Sequence, residues 1–140
     1  MTIDPGLARS GLLSVRRRVP FRLQLPRVVA NNSTLAVDTP IRVYNIKKGY
    51  KALRLTYSTG QTDYWGVEET NWDAAPALAE ASFNQVINKR QYSLYYSGAH
   101  LHMVVLRDSG ATYWVVNTVL DALSNETMLA IARGLQPLPK

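Results

Sequence analysis

Alternation between apolar and polar positions organises most of this chain. Residues 92–96, 100–106 and 112–116 are β-branched and aromatic runs, and each predicts a strand. Ser97-Gly98-Ala99 and Asp108-Ser109-Gly110 separate them, short connectors in which glycine takes the positive φ of a tight hairpin. The three strands therefore form an antiparallel meander. Upstream, Phe21-Arg22-Leu23-Gln24-Leu25 alternates strictly, which predicts a half-buried strand with Arg22 and Gln24 outward. Pro20 and Pro26 bracket it and place it at an edge. Residues 41–46 and 51–57 predict two more strands joined by Lys47-Lys48-Gly49, and residues 63–70 a further one. Gly66 inside that last strand implies a bulge or a close backbone approach. After Phe83, residues 84–90 lead by a strand and a turn into the meander.

The period changes near the end. Met128, Ile131, Ala132 and Leu135 stand at i, i+3, i+4 and i+7, one apolar stripe of a helix from which Asn125, Glu126 and Arg133 point away. Ser124 suits the N-cap, Glu126 the positive end of the helix dipole and Arg133 the negative end. Gly134 suits a left-handed stop, with Pro137 and Pro139 preventing a restart. A helix of about ten residues is marginal alone in water, so the stripe must lie on the sheet. A weaker turn of helix is expected over residues 76–81, with Asp73 or Ala74 at its entrance. Residues 1–19 mix Pro5, Gly6 and Gly11 with Arg16-Arg17-Arg18, and their leucines hold no helical period before Pro20. They read as a basic leader or linker with little fixed structure, followed by a single domain over residues 20–136. The fold class is α+β: a mostly antiparallel sheet of meander and hairpins, with a C-terminal helix packed on one face.

A chain of 140 residues with 46% hydrophobic content suffices for one core and not for two. The absence of cysteine excludes disulfides, thiolate catalysis and cysteine-based metal sites. No apolar run is long enough for a transmembrane segment, and the first residues lack the apolar core of a signal peptide.

Charge is unevenly placed. Residues 1–60 hold eleven Lys and Arg against two Asp, net +9, whereas residues 61–140 hold five against eight acidic residues, net −3. The asymmetry suits a polyanion or an anionic membrane surface, and it equally suits a solvated flank. Arg42, Lys51 and Arg54 lie on adjacent hairpin arms and share a basic face if the register brings them together. Trp65 and Trp72 bracket an acidic patch of Asp63, Glu68, Glu69 and Asp73. With Tyr64, Tyr95 and Tyr96 they exceed what one small sheet face hides, which leaves a shallow aromatic surface suited to sugars, polyprenyl phosphates or peptides, or plain packing. Arg42, Lys51, Arg54, Trp65 and Trp72 are accordingly the candidate ligand-binding residues for an anionic polymer.

His100 and His102, two apart on a strand, point to one face and suit a metal or a proton relay. No carboxylate close in sequence completes such a site, and the alternative is a pair packed against neighbouring tyrosines. Glu68 and Glu69 are consecutive and face opposite sides, which argues against an acid–base dyad. One is expected solvated and the other paired with an arginine such as Arg107 or Arg90. No Gly-x-Ser-x-Gly elbow, phosphate loop or dinucleotide-binding turn occurs. The glycosylation sequons at Asn31, Asn32 and Asn125 are short patterns, and helix capping accounts for the last. The sequence thus carries no expectation of catalysis, metal or cofactor.

Several stretches, taken together, resemble a family. They are Val19-Pro20-Phe21-Arg22 with Pro26, Pro40-Ile41-Arg42-Val43-Tyr44, Tyr64-Trp65-Gly66-Val67-Glu68-Glu69-Thr70-Asn71-Trp72, Gln91-Tyr92-Ser93-Leu94-Tyr95-Tyr96, His100-Leu101-His102-Met103-Val104-Val105, Tyr113-Trp114-Val115-Val116-Asn117-Thr118 and residues 123–132. In order and spacing they resemble the C-terminal accessory region that follows the catalytic domain in actinobacterial LytR-CpsA-Psr (LCP) cell-envelope proteins. Such proteins are membrane-anchored phosphotransferases that move glycopolymers from polyprenyl pyrophosphate onto peptidoglycan. The sequence as given holds neither their catalytic domain nor their anchor. The resemblance therefore implies a non-catalytic, extracytoplasmic binding or scaffold module of the cell envelope, whether a fragment, a free-standing paralogue or half of a split protein. Its implied partner is an anionic cell-wall polymer or another envelope protein. The high pI and the arginine triplet raise the alternative of a nucleic-acid-binding regulator, for which the one clear helix, short and nearly uncharged, is poorly suited.

Overall fold

The computed structural model describes residues 2–3, 6–60, 63–72, 78 and 81–139. In chain order the elements are β1 (Thr2–Ile3), α1 (Leu7–Val15), a 3-10 turn (Arg16–Arg18), β2 (Gln24–Pro26), β3 (Val28–Val29), β4 (Thr34–Leu35), β5 (Ile41–Lys47), β6 (Tyr50–Ser58), β7 (Tyr64–Thr70), β8 (Phe83–Ile87), β9 (Arg90–Ser97), β10 (His100–Asp108), β11 (Ala111–Val116), α2 (Asn125–Arg133) and β12 (Leu135–Pro137). The fold is α+β, dominated by an antiparallel sheet ordered β4-β6-β7-β11-β10-β9-β8, with β5 also on β6.

Two meanders, β5-β6-β7 and β8-β9-β10-β11, meet where β7 pairs antiparallel with β11. The tight turns follow from residues that accept positive φ: Gly49 (84°), Gly98 (61°) and Gly110 (79°) stand in three of the hairpin loops. The β8–β9 turn has no glycine, and Asn88 and Lys89 adopt φ of 51° and 66° there.

Alternation divides the sheet into two faces. One carries Val43, Leu53, Glu69, Tyr113, Leu106 and Tyr92 in a single cross-strand row, and it holds the main core. α2 closes that face with Met128, Ile131 and Ala132, each 0% exposed, and Leu135 is buried just beyond it. Burying three such aliphatic side chains contributes roughly 1.5–3 kcal/mol apiece, more than a nine-residue helix gains from propensity. Ser124 caps the helix as its spacing predicts, accepting from the Thr127 N–H at 3.1 Å. The other face carries a smaller cluster of Met103, Val105 and Trp114 under Leu78. The helix turn expected over residues 76–81 falls almost entirely outside the described residues.

Four local expectations need correction. Residues 7–15, expected to carry little fixed structure, form α1, whose Ala8 and Leu12 are buried at i and i+4. Gly11 lies close to Ile41, which lets the helix approach β5. Gln24 is 1% exposed rather than outward, because β2 leaves the main sheet and pairs with β12, and a ring of polar groups takes up its amide. Gly134 has φ −86°, so α2 ends without a left-handed residue: the Gly134 N–H turns back to the Ala130 and Ile131 carbonyls and the chain runs directly into β12. Asn125 does not point away; it donates to the Ala99 carbonyl and accepts from the Leu101 N–H, clasping the β9–β10 turn. Among the described residues no helix is long and apolar enough to cross a membrane.

Candidate functional site, a basic strip built from both chain ends

Arg42 and Arg54 are direct cross-strand partners, and Glu68 continues the same row on β7. Arg42 also lies over the Tyr44 ring, 5.0 Å from its centroid. Glu68 is half-buried, and that burial raises its pKa while Arg54 opposes the rise. The pair is thus partly countered by a carboxylate. Lys51 does not join it. It alternates with Ala52 and turns to the opposite face, where it meets the arginine triplet instead.

Trp65 is a correction. It is 2% exposed, stacked on Tyr57 with ring centroids 4.5 Å apart, and its indole N–H donates to Ser33 Oγ at 2.9 Å, so it belongs to the core. Trp72 is half-buried, with Lys47 Nζ 5.1 Å above its ring. The same ammonium lies 5.6 Å from the Tyr50 ring centroid. Of the expected aromatic surface, Tyr64 is open, whereas Tyr95 donates to the Leu78 carbonyl and Tyr96 packs edge-on against Phe83.

The most concentrated positive surface lies where α1 gives way to Pro20. With about three residues per turn, a 3-10 helix spreads consecutive side chains around its axis, so Arg16, Arg17 and Arg18 diverge. Arg16 reaches the Pro139 carbonyl at 3.3 Å, and Arg22 Nε donates to the Leu138 carbonyl at 2.8 Å. Arg17, Arg22 and Phe21 border an open hollow of about 240 Å³ floored by Leu23 and Leu138. Arg17, Arg18 and Lys51 border a second, of about 320 Å³, against Gly49 and Pro20. Arg17 is common to both, which makes them one strip, and among the described residues no acidic side chain lines either hollow. The triplet was visible in the sequence as a possible phosphate contact. Its junction with Arg22 and Lys51 was not, since it depends on the C-terminal tail and on the β5–β6 register.

The remaining titratable groups fall into separate places. Glu68 and Glu69 face opposite sides of β7, as their adjacency predicts. Neither pairs with Arg90 or Arg107: Arg90 lies 3.4 Å from Asp108, and Arg107 donates to Ser93 Oγ. Glu69 is fully buried. One oxygen accepts from the Gln24 N–H at 2.6 Å, the other has no partner among the described residues, and burial pushes its pKa up to about 8. His102 does find a carboxylate: its Nδ1 is 2.6 Å from Asp121 Oδ1, supplied by the loop after β11. Asn117 pins that loop through the Leu101 and Leu123 carbonyls and the Thr118 and Leu123 N–H groups. Among the described residues no group of three His, Asp or Glu converges as a metal site. No protein-family model, no curated protein and no solved structure matches this chain.

Proposed function

We propose that the chain is a non-catalytic binding module that holds an anionic polymer along the strip of Arg17, Arg18, Arg22 and Lys51. The carrying observation is the pair of hollows that share Arg17, bordered by cations and, among the described residues, by no acid. Guanidinium groups offer planar, paired donors to phosphate or carboxylate oxygens, and the half-buried Phe21 supplies an apolar surface beside them. The likeness to the accessory region of LCP proteins gives this chemistry a setting: the polymer is an anionic wall glycopolymer, the location the extracytoplasmic envelope, and the role retention or scaffolding rather than transfer.

The test is retention of the purified protein on envelope fractions and on soluble polyphosphate at low and high salt. Wild type is expected to be held at low salt and released at high salt. Arg17→Ala/Arg18→Ala/Lys51→Ala should lose retention, whereas Arg42→Ala/Arg54→Ala should keep most of it. Retention that survives high salt, or that falls equally in both variants, overturns the assignment. Nucleic acid is the second reading, prompted by the same arginines and a pI of about 9.8. α2 buries its apolar stripe on the sheet and carries Glu126 in its first turn, where a groove-reading helix meets phosphates, so it is poorly suited to that role. A duplex bound at physiological salt more tightly than polyphosphate would favour that reading.

A further inference from the structure

A second cationic hollow lies away from the strip, between the end of α2, the β2–β3 turn and the β8–β9 hairpin. It is open to solvent, with a volume of about 410 Å³, and Arg27, Arg90 and Arg133 line it together with the side chains of Ile87 and Tyr92. We infer that it is a binding site for a small organic dianion, a phosphate ester or a dicarboxylate with a short apolar body. This goes beyond the polymer reading and does not depend on it.

Three observations carry it. The first is the division of labour among the arginines. Arg90 is fixed, donating to the Leu135 carbonyl at 2.9 Å and to Gln24 Oε1 at 3.0 Å, with Asp108 beside it at 3.4 Å. It forms a rigid wall whose charge is already shared. The Arg27 and Arg133 side chains are exposed and have no hydrogen-bond or ion-pair partner among the described residues, so their donors are available to a ligand.

The second concerns the helix end, where free carbonyls ordinarily repel an anion. Here several of the carbonyls are occupied. The Ala130 and Ile131 carbonyls accept from the Gly134 N–H, and the Gly134 carbonyl accepts from the Arg27 N–H at 3.1 Å. Among the described residues no acidic side chain lines the hollow.

The third is the turn at its rim. Asn88 and Lys89 both have positive φ, the geometry of a two-residue hairpin in which glycine is favoured at the second position. An exposed lysine stands there instead, beside the lining residue Asn88. The chain accepts backbone strain and places a further cation in the turn that borders the hollow.

The fixed face of Tyr92 and Ile87 gives the apolar body a resting place, and a head with two negative charges answers Arg27 and Arg133 together. Backbone amide NMR titrations of the full chain with phenyl phosphate, phthalate, inorganic phosphate and benzyl alcohol test this. Phenyl phosphate and phthalate are expected to give saturable shifts in residues 27–28, 87–90 and 130–134 at millimolar concentration. Inorganic phosphate should bind more weakly and benzyl alcohol not at all, and the order of the two aromatic dianions separates phosphate from carboxylate recognition. Arg27→Ala and Arg133→Ala should each weaken binding by about tenfold, as expected for one lost charge-assisted contact. Lys89→Gly should weaken it several-fold while raising the thermal midpoint. Arg17→Ala/Arg18→Ala/Lys51→Ala should leave it unchanged, whatever that variant does to polymer retention. Absence of saturable shifts, shifts centred on residues 16–18, or binding unaltered in Arg27→Ala/Arg133→Ala would overturn the assignment.

Discussion

Glu69 accepts a hydrogen bond from the Gln24 N–H and thereby fastens β2 to the underside of the central sheet, with its second oxygen buried and without a partner among the described residues. Burial raises its folded pKa to about 8 against 4.5 for the ordinary carboxyl group, so the folded protein binds a proton that the unfolded chain has released. Stability from this group is fully present below pH 4.5 and is lost as pH rises through about 8, a change on the order of 5 kcal/mol at most. Urea unfolding of wild type should therefore show a falling midpoint across that interval. Glu69→Gln should flatten the fall, and a wild-type curve that rises with pH would contradict the arrangement.

Gly66 explains a different constraint. A Cβ there would stand 2.7 Å from the Leu55 carbonyl oxygen, a backbone atom that cannot swing aside. The crowding occurs where the outer edge of β6 changes partner from β5 to β4, between Leu55 and Tyr57. Gly66→Ala is expected to cost about 1–3 kcal/mol in chemical denaturation through strain alone. Polymer retention should survive wherever the variant remains folded.

The two tryptophans named from sequence should separate cleanly. Trp65→Ala empties part of the core under Tyr57 and is expected to cost about 3–5 kcal/mol. Trp72→Ala removes only the ring beneath Lys47 and should shift stability by less than about 1 kcal/mol. Thermal unfolding followed by circular dichroism measures both.

How much of this was legible in the chain depended on how local each feature is. The strands of the meander, the Ser124 cap and the stripe of Met128 and Ile131 follow from period and turn chemistry within a few residues. Gly66 announced its close approach by its position in a strand. Trp65 and Trp72 both border the same acidic stretch, and the pairing of Trp65 with Tyr57 across β6 and β7 puts it inside, whereas Trp72 lies past the end of β7 and stays at the rim. Lys51 illustrates the same limit, since its face depends on a register that alternation alone does not anchor. α1 is not marked by its pattern because, among the described side chains, Ala8 and Leu12 are its two buried positions, with Gly6 before them and Gly11 between them. Gln24 was misjudged because alternation assigns it to solvent, whereas Asp108 and Arg90 receive its amide from far along the chain.

Asn117 gives one more expectation. Its side chain ties four backbone groups of the β10 and post-β11 segments, and its amide is shielded from water. Asn117→Ala strands those groups and should cost about 2–4 kcal/mol, since each unpaired buried group is expensive. Hydrogen exchange should show the Thr118 and Leu123 amides losing protection before the strands do.

The grip of Arg16 and Arg22 on the Pro139 and Leu138 carbonyls has a consequence in time. A ribosome delivers the arginines early and the carbonyls that hold them more than a hundred residues later. The nascent chain therefore carries the positive charge without the surface, and its hairpins can pair while the strip is still unassembled. The strip is complete only when residues 135–139 have docked beside β2, so two segments far apart in translation must meet before its arginines are held in place.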